Sequence, residues 1–273
     1  MKLGLVGLTG AGKTTLFEAL TKTDALPGQK NEDRLAAIRV PDSRVGALSD
    51  RYHPRKTIYA QVNYFLPAQG EKKDRETQWN AVKECDALIH VVRNFDVPGL
   101  PPVDPRRDII ALEEEFILSD LVVAEKRRER IEADKQRGKK IDPREAALLA
   151  EAQSMLENGE PLRNNSEIAA SPLLRGFSLV SAKPVLILIN NADDDADPPD
   201  NVLPEGMEGM MVRGRLEHEI SRMTDQEAEE FLQEFNIAEP ATDRAIKRSY
   251  EILGLISFFT VGEDEVRAWT IRA

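Results

Sequence analysis

Residues 7 to 14 read Gly7-Leu8-Thr9-Gly10-Ala11-Gly12-Lys13-Thr14, the spacing G-x-x-x-x-G-K-[ST] without a mismatch. Such a spacing can hold a row of phosphates. Glycines let the backbone curl until several N–H groups point at one centre, the lysine reaches the outer phosphates, and the next hydroxyl can sit on Mg²⁺. On this reading Gly7, Gly10, Ala11, Gly12, Lys13, Thr14 and Thr15 form the cradle. Lys13 is the catalytic charge and Thr14 the metal ligand. A second constellation stands at Asn190-Asn191-Ala192-Asp193. An amide beside a carboxylate can read the edge of a purine, which makes Asn190, Asn191 and Asp193 candidates for the base. An Asn/Asp-rich turn running into the acidic residues 193–197 has the same look, and the tetrapeptide alone does not separate the two.

Both candidates need a strand before them, and the first also needs a helix behind it. Leu3-Gly4-Leu5-Val6 precedes the glycines, and Leu16, Phe17 and Leu20 share one helical face after them. Runs suited to buried parallel strands recur at Lys2–Val6, Ala87–Val92 and Pro184–Ile189, with a weaker one at Gly209–Val212. Tyr59–Phe65 predicts a further strand, and Arg51–Thr57, polar and carrying Pro54, a loop. Helical patterns between the strands predict a doubly wound, mostly parallel α/β sheet. The third run leads straight into Asn190, at the strand end where such sheets place ligands.

The middle is different. From about Pro105 to Arg175 strand signal nearly vanishes, and Ile109, Leu112, Phe116, Leu118, Leu121, Val122 and Val123 give a helical stripe. Gly138 interrupts it, Asp142-Pro143 reads as an N-cap with proline at the first helical position, and a second helix follows over 146–158. This predicts an inserted helical hairpin. Between Lys126 and Arg144 nine Lys or Arg face four Asp or Glu, which suits either a solvated hairpin or a basic finger for RNA or an acidic partner. Asp225–Glu234 and Thr242–Leu253 read as helices, Ile256–Val261 and Val266–Ile271 as strands.

Composition narrows the classes. The 273 residues are 41% hydrophobic with no apolar run long enough to span a bilayer, so no membrane partner is expected. Cys85 is the only cysteine, which excludes an internal disulfide framework and fits a reducing cytoplasm. The N-terminus enters the first strand at once, leaving no room for a leader. A net charge of −11 makes the surface as a whole repel nucleic acid, so RNA would need a local basic patch. His53, His90 and His218 show no metal-ligand spacing.

The block Ser257-Phe258-Phe259-Thr260-Val261-Gly262-Glu263-Asp264-Glu265-Val266-Arg267-Ala268-Trp269-Thr270-Ile271, with Val40-Pro41-Asp42-Ser43-Arg44, His90-Val91-Val92-Arg93, Lys183-Pro184-Val185 and the helix 225–234, resembles the YchF family of Obg-related, GTPase-like ATPases. The resemblance covers nearly the whole chain. It implies a P-loop NTPase G-domain over 1–104 and 177–273 with a coiled-coil hairpin inserted at 105–176. It also implies Mg²⁺, ATP or GTP as ligand, slow hydrolysis, and a link to ribosomes.

The chain departs from the family pattern at several points. Where the family has D-x-A-G after its second strand, this chain has Val62-Asn63-Tyr64-Phe65-Leu66-Pro67, followed by a shortened Ala68-Gln69-Gly70-Glu71-Lys72-Lys73. Residues 28–39 contain no Thr or Ser to approach Mg²⁺. These losses predict weak or absent turnover. The base motif ends in Asp193 where the family has Glu, which leaves ATP versus GTP open. The family's C-terminal TGS domain is not in this sequence, which reads either as a naturally short protein or as a fragment. A nucleotide-binding scaffold without catalysis stands as the alternative function, and a P-loop kinase ranks last.

Overall fold

The computed structural model describes residues 1–24, 32–68, 80–197, 199–235 and 237–272. These fall into two compact units. The described residues of Met1–Glu71, Cys85–Arg106 and Val185–Ala273 form the first, and those of Lys72–Glu84 and Arg107–Pro184 the second.

The first unit is built on a six-stranded sheet. Its strands are β1 (Lys2–Val6), β2 (Arg34–Arg39), β4 (Gln61–Leu66), β5 (Ala87–Asn94), β6 (Val185–Asn191) and β7 (Glu208–Val212), in the order β2-β4-β1-β5-β6-β7. All neighbours are parallel except β2, which runs antiparallel to β4. The fold class is therefore an α/β G-domain sheet. Central strands buried on both faces lose the alternation of a half-exposed strand, and Ala87–Arg93 are all buried. β2 behaves oppositely: Arg34-Leu35-Ala36-Ala37-Ile38-Arg39 alternates half-buried and exposed, as an edge strand should.

The helices of this unit are α1 (Lys13–Thr21), α2 (Ser43–Tyr52), α6 (Gly214–Ser221), α7 (Asp225–Glu234) and α8 (Ala241–Ile252). Leu16, Phe17, Leu20, Val45, Ala245 and Ile246 carry their apolar faces into one core with Leu3, Leu5, Val62, Ile89 and Leu188. The segment expected as a loop at Arg51–Thr57 is shorter. Asp42 accepts from the Arg44 N–H at 3.0 Å and starts α2, which continues through Tyr52, and Lys56–Ile58 form a short strand, β3. β3 exists because a partner far along the chain supplies its ladder. It pairs with β9 (Glu265–Arg272), which pairs with β8 (Leu255–Val261), giving a separate three-stranded sheet in the order β3-β9-β8.

The second unit holds most of α3 (Pro105–Gln136) and all of α4 (Pro143–Glu157), followed by a short helix α5 (Ser166–Ala170). Gly138, at φ 72°, turns the chain, and Asp142 caps α4 through the Arg144 N–H at 2.9 Å with Pro143 at the first position. Ile117, Ala124, Leu149, Ala152, Leu156 and Leu162 form its core.

Candidate functional site

The phosphate loop links β1 to α1. Gly12 stands at φ 89° at the N-terminus of α1, and no side chain caps that helix end. A Cβ on Gly12 would lie 2.3 Å from Nδ2 of Asn190, so only glycine fits both the backbone angle and the neighbour. The first N–H groups of a helix have no partner inside it. With no side-chain cap and no acidic residue in its first turn, α1 offers them to an outside anion. The side chains of Lys13, Thr14 and Thr15 are all in this first turn and half-buried.

Lys13 Nζ folds back on its own loop, donating to the carbonyls of Gly7 and Leu8 at 2.9 Å each. Carbonyl oxygens satisfy its protons but carry no full charge. Burial accordingly pulls its pKa down to about 8 from the ordinary lysine value of 10.5.

Asn190 lies at the end of β6, almost fully buried. Its Nδ2 donates to the Ala11 carbonyl at 3.0 Å, and its Oδ1 accepts the Gly214 N–H at 2.8 Å. One amide thus ties the phosphate loop to the start of α6. Asp193 Oδ1 accepts the Leu216 N–H at 3.1 Å, so Asn190 and Asp193 between them satisfy two first-turn donors of a helix that has no side-chain cap at its own N-cap residue. The second Asp193 oxygen faces Arg215 at 3.6 Å. Asn191 is buried and used locally. Its Nδ2 donates to the carbonyls of Asp195 and Asp197 at 3.3 and 2.8 Å, and its Oδ1 accepts from Asn94. Of the three proposed base residues, Asp193 is the one with a side chain open to solvent, at 41%.

Further residues brace the loop, among them Arg93 of the His90–Arg93 run. Buried Arg93, at the end of β5, donates to the carbonyls of Phe95 and Pro101 at 3.4 and 2.7 Å and so fixes the loop after that strand. That loop sets Leu100 so close to Gly10 that a Cβ there would come within 2.3 Å of its Cδ1. Buried Glu217 on α6 accepts from the Ala241 and Thr242 N–H groups at 2.8 and 3.1 Å, capping α8 from a neighbouring helix. The signal for Gly214 was present in the sequence as a glycine two residues after the β7 run.

A divalent cation at the phosphate loop would find the Thr14 hydroxyl. In β4 the run Val62-Asn63-Tyr64-Phe65-Leu66 carries no carboxylate. Tyr64 of β4 is fully buried in the core, with its hydroxyl pKa pushed up by burial. The shortened stretch from Gln69 to Lys73, and Gly28 to Asn31 of the first loop, lie outside the described residues. Elsewhere Glu18, Asp24 and His218 bring ligand atoms within 4.8 Å of one another. Arg34 and Arg222 already neutralise the two carboxylates at 2.8 and 2.9 Å, so this corner has little charge left for a metal.

No family model matches the sequence. Comparison with curated proteins is decisive. The chain is 30% identical to the "Ribosome-binding ATPase YchF" of Bacillus subtilis (strain 168), over 98% of its own length and 80% of the relative's. With the protein of the same name from Escherichia coli O157:H7 it is 32% identical, over 99% and 80%. The chain belongs to the YchF family. It is also 29% identical to "Obg-like ATPase 1" of Schizosaccharomyces pombe, over its whole length and 78% of that protein. Among solved structures it superposes on the YchF GTPase of Schizosaccharomyces pombe with a TM-score of 0.81 at 26% identity, over its whole length and 80% of that chain. In the YchF-family chain no helix among the described residues is long and apolar enough to cross a membrane.

Proposed function

We propose that this YchF-family chain binds a purine nucleoside triphosphate, ATP or GTP, with Mg²⁺ and turns it over slowly or not at all, in connection with the ribosome. The observation that carries the reading is the loop at Gly7–Thr15: an uncapped helix N-terminus, glycines at angles other residues avoid, and a half-buried lysine whose amine is held by the carbonyls of Gly7 and Leu8. Backbone N–H groups and Lys13 would hold the β- and γ-phosphates, Thr14 the metal, and Asn190, Asn191 and Asp193 the base end. When bound, the metal supplies charge neutralisation at the phosphates. The chain's own share of phosphoryl transfer to water is electrostatic positioning by Lys13 and the loop rather than proton abstraction by a strong base. The names of the relatives support the ribosome, and the hairpin segment 105–176, basic between Lys126 and Arg144, is the part proposed to dock there on RNA or protein.

A second reading, a nucleotide-gated scaffold without catalysis, is favoured by the stretch Val62-Asn63-Tyr64-Phe65-Leu66-Pro67, which carries neither Asp nor Gly where the family resemblance implies D-x-A-G. One experiment separates the two. ATP and GTP analogues are titrated with and without Mg²⁺, and phosphate release is followed on the same sample. Binding with slow release supports the hydrolase, and binding without release the scaffold. No binding of either nucleotide overturns both.

A further inference from the structure

The polar groups at the base end of the nucleotide site are nearly all engaged. Asn190 uses both amide atoms on the Ala11 carbonyl and the Gly214 N–H, and Asn191 uses both on Asn94, Asp195 and Asp197. Asp193 alone of the three keeps an open side chain, and a carboxylate reads only the edge of a purine. The faces of the ring are apolar and need a surface of their own. Leu100 offers one. It is half-buried, and its Cδ1 lies against Gly10, 2.3 Å from where a Cβ would stand. Lys13, the lysine for the outer phosphates, folds back on Gly7 and Leu8, whereas Gly10 adjoins Ala11, the residue that Asn190 holds. The segment carrying Leu100 leaves β5 at Asn94, whose amide donates to Asn191 at 3.0 Å. Leu100 therefore stands with the asparagines rather than with the lysine amine. It is also held there. Arg93 donates to the Pro101 carbonyl at 2.7 Å, the Leu100 N–H donates to the Val97 carbonyl at 3.1 Å, and Gly99 turns the chain at φ 85°. Pro98, Pro101 and Pro102 fix three more φ angles, and Pro101 restricts Leu100 itself to extended backbone. A surface set before the ligand arrives costs little to order.

We propose that Leu100 is a binding residue for the purine: one face of the ring lies on its side chain while Asp193 takes the edge. The inference rests on the reading of Gly7–Thr15 as a nucleotide site, and it adds a contact that a bare phosphate chain does not use. A leucine side chain has neither donor nor acceptor. It rewards the presence of a ring without telling adenine from guanine, and that choice stays with the groups at the edge.

The test compares ligands that share the phosphates and differ in the ring. ATP, GTP and inorganic tripolyphosphate are each titrated with Mg²⁺ into the full chain by calorimetry. In Leu100→Ala the ATP and GTP affinities fall alike, about fivefold or more, and the tripolyphosphate affinity changes less than about twofold. Leu100→Met, close in volume and polarity, keeps all three within about twofold of the wild type. Lys13→Ala lowers all three and so marks the phosphate end. The melting transition verifies the folding of each variant. Equal losses for the three ligands in Leu100→Ala would assign Leu100 to the shape of the loop and overturn the proposal. An unchanged or tighter ATP affinity in that variant overturns it as well. A wild type that binds tripolyphosphate as tightly as ATP gains nothing from the ring, so the proposal falls while the phosphate site stands. A wild type that binds none of the three overturns the nucleotide reading itself.

Discussion

The phosphate loop and the helical hairpin are held together by opposite means. In the first, short backbone segments meet buried polar groups at fixed angles: Gly12 at φ 89° against Asn190, and Asn190 against Ala11 and Gly214. A displacement of a fraction of an ångström there breaks a bond or makes a clash. In the second, an apolar seam that includes Leu149, Ala152 and Leu156 packs the helices, and buried polar contacts stand at its base. There Asp120, fully buried, accepts from the Val180 and Ser181 N–H groups at 2.9 and 2.7 Å, and Glu113 takes both terminal nitrogens of Arg163 at 2.6 and 2.8 Å.

The sharpest way to break this contrast is Lys13→Ala. Triphosphate affinity should fall about a hundredfold or more, because the loop loses its charge-assisted donor to the outer phosphates. An unchanged titration would end the assignment of the site. The wild type adds a pH signature. Lys13 titrates near 8 in the free protein, and phosphate binding demands its charged form. Affinity should be flat below that value and decline as pH rises through it. A flat profile to about pH 9.5 means that Lys13 does not face the phosphates.

Gly12→Ala tests rigidity directly. The added Cβ meets Asn190 at a left-handed backbone angle, costing about 1–3 kcal/mol and lowering nucleotide affinity about tenfold or more. Combining it with Asn190→Ala removes the clash but not the angle, so rescue should be partial. Full rescue would show the angle to be harmless.

On the hairpin side, Asp120→Ala orphans two buried N–H groups and should cost about 2–4 kcal/mol, read as a lower melting transition and faster hydrogen exchange around Val180. An unshifted transition would mean that the base is as adaptable as the rest. The smallest effect is expected from Glu113. Its pKa is raised, by burial first and against the pull of Arg163. For a raised carboxylate the stabilising contribution is complete below the ordinary value near 4.5 and is lost as pH climbs through the shifted one. The wild type should therefore gain on Glu113→Gln as pH drops from neutral toward about 5. A stability difference that stays constant with pH would show that burial does not govern the Glu113 carboxyl.

Much of this contrast was legible in the sequence because the phosphate loop is written in local spacing. Glycine, lysine and threonine at fixed offsets need no distant partner to be recognised, and Asp142-Pro143 marked the hairpin turn in the same way. What stayed hidden depends on pairing at a distance. β3 is polar and three residues long, and it is a strand only because Lys56 and Thr57 lie beside Glu265 and Val266. β2, with arginines at both ends and alanines within, lacks a strand signal until β4 lies alongside it. The two asparagines were legible as polar residues at the end of a buried strand. Their bonds to Ala11, Gly214, Asp195 and Asp197 were not, because a tetrapeptide does not say which backbone atoms will face it.

The Asn190 amide is also a place where the loss of one nitrogen would matter. Hydrolytic deamidation replaces an NH₂ group by an oxygen, and at this position the new carboxylate oxygen would lie against the Ala11 carbonyl where a donor stood at 3.0 Å. The product would have the same length, nearly the same mass and an intact glycine loop, yet that loop would be repelled from within. Burial at the end of a strand slows such chemistry. Stored preparations that lose nucleotide affinity with a gain of one mass unit and one negative charge would carry its mark.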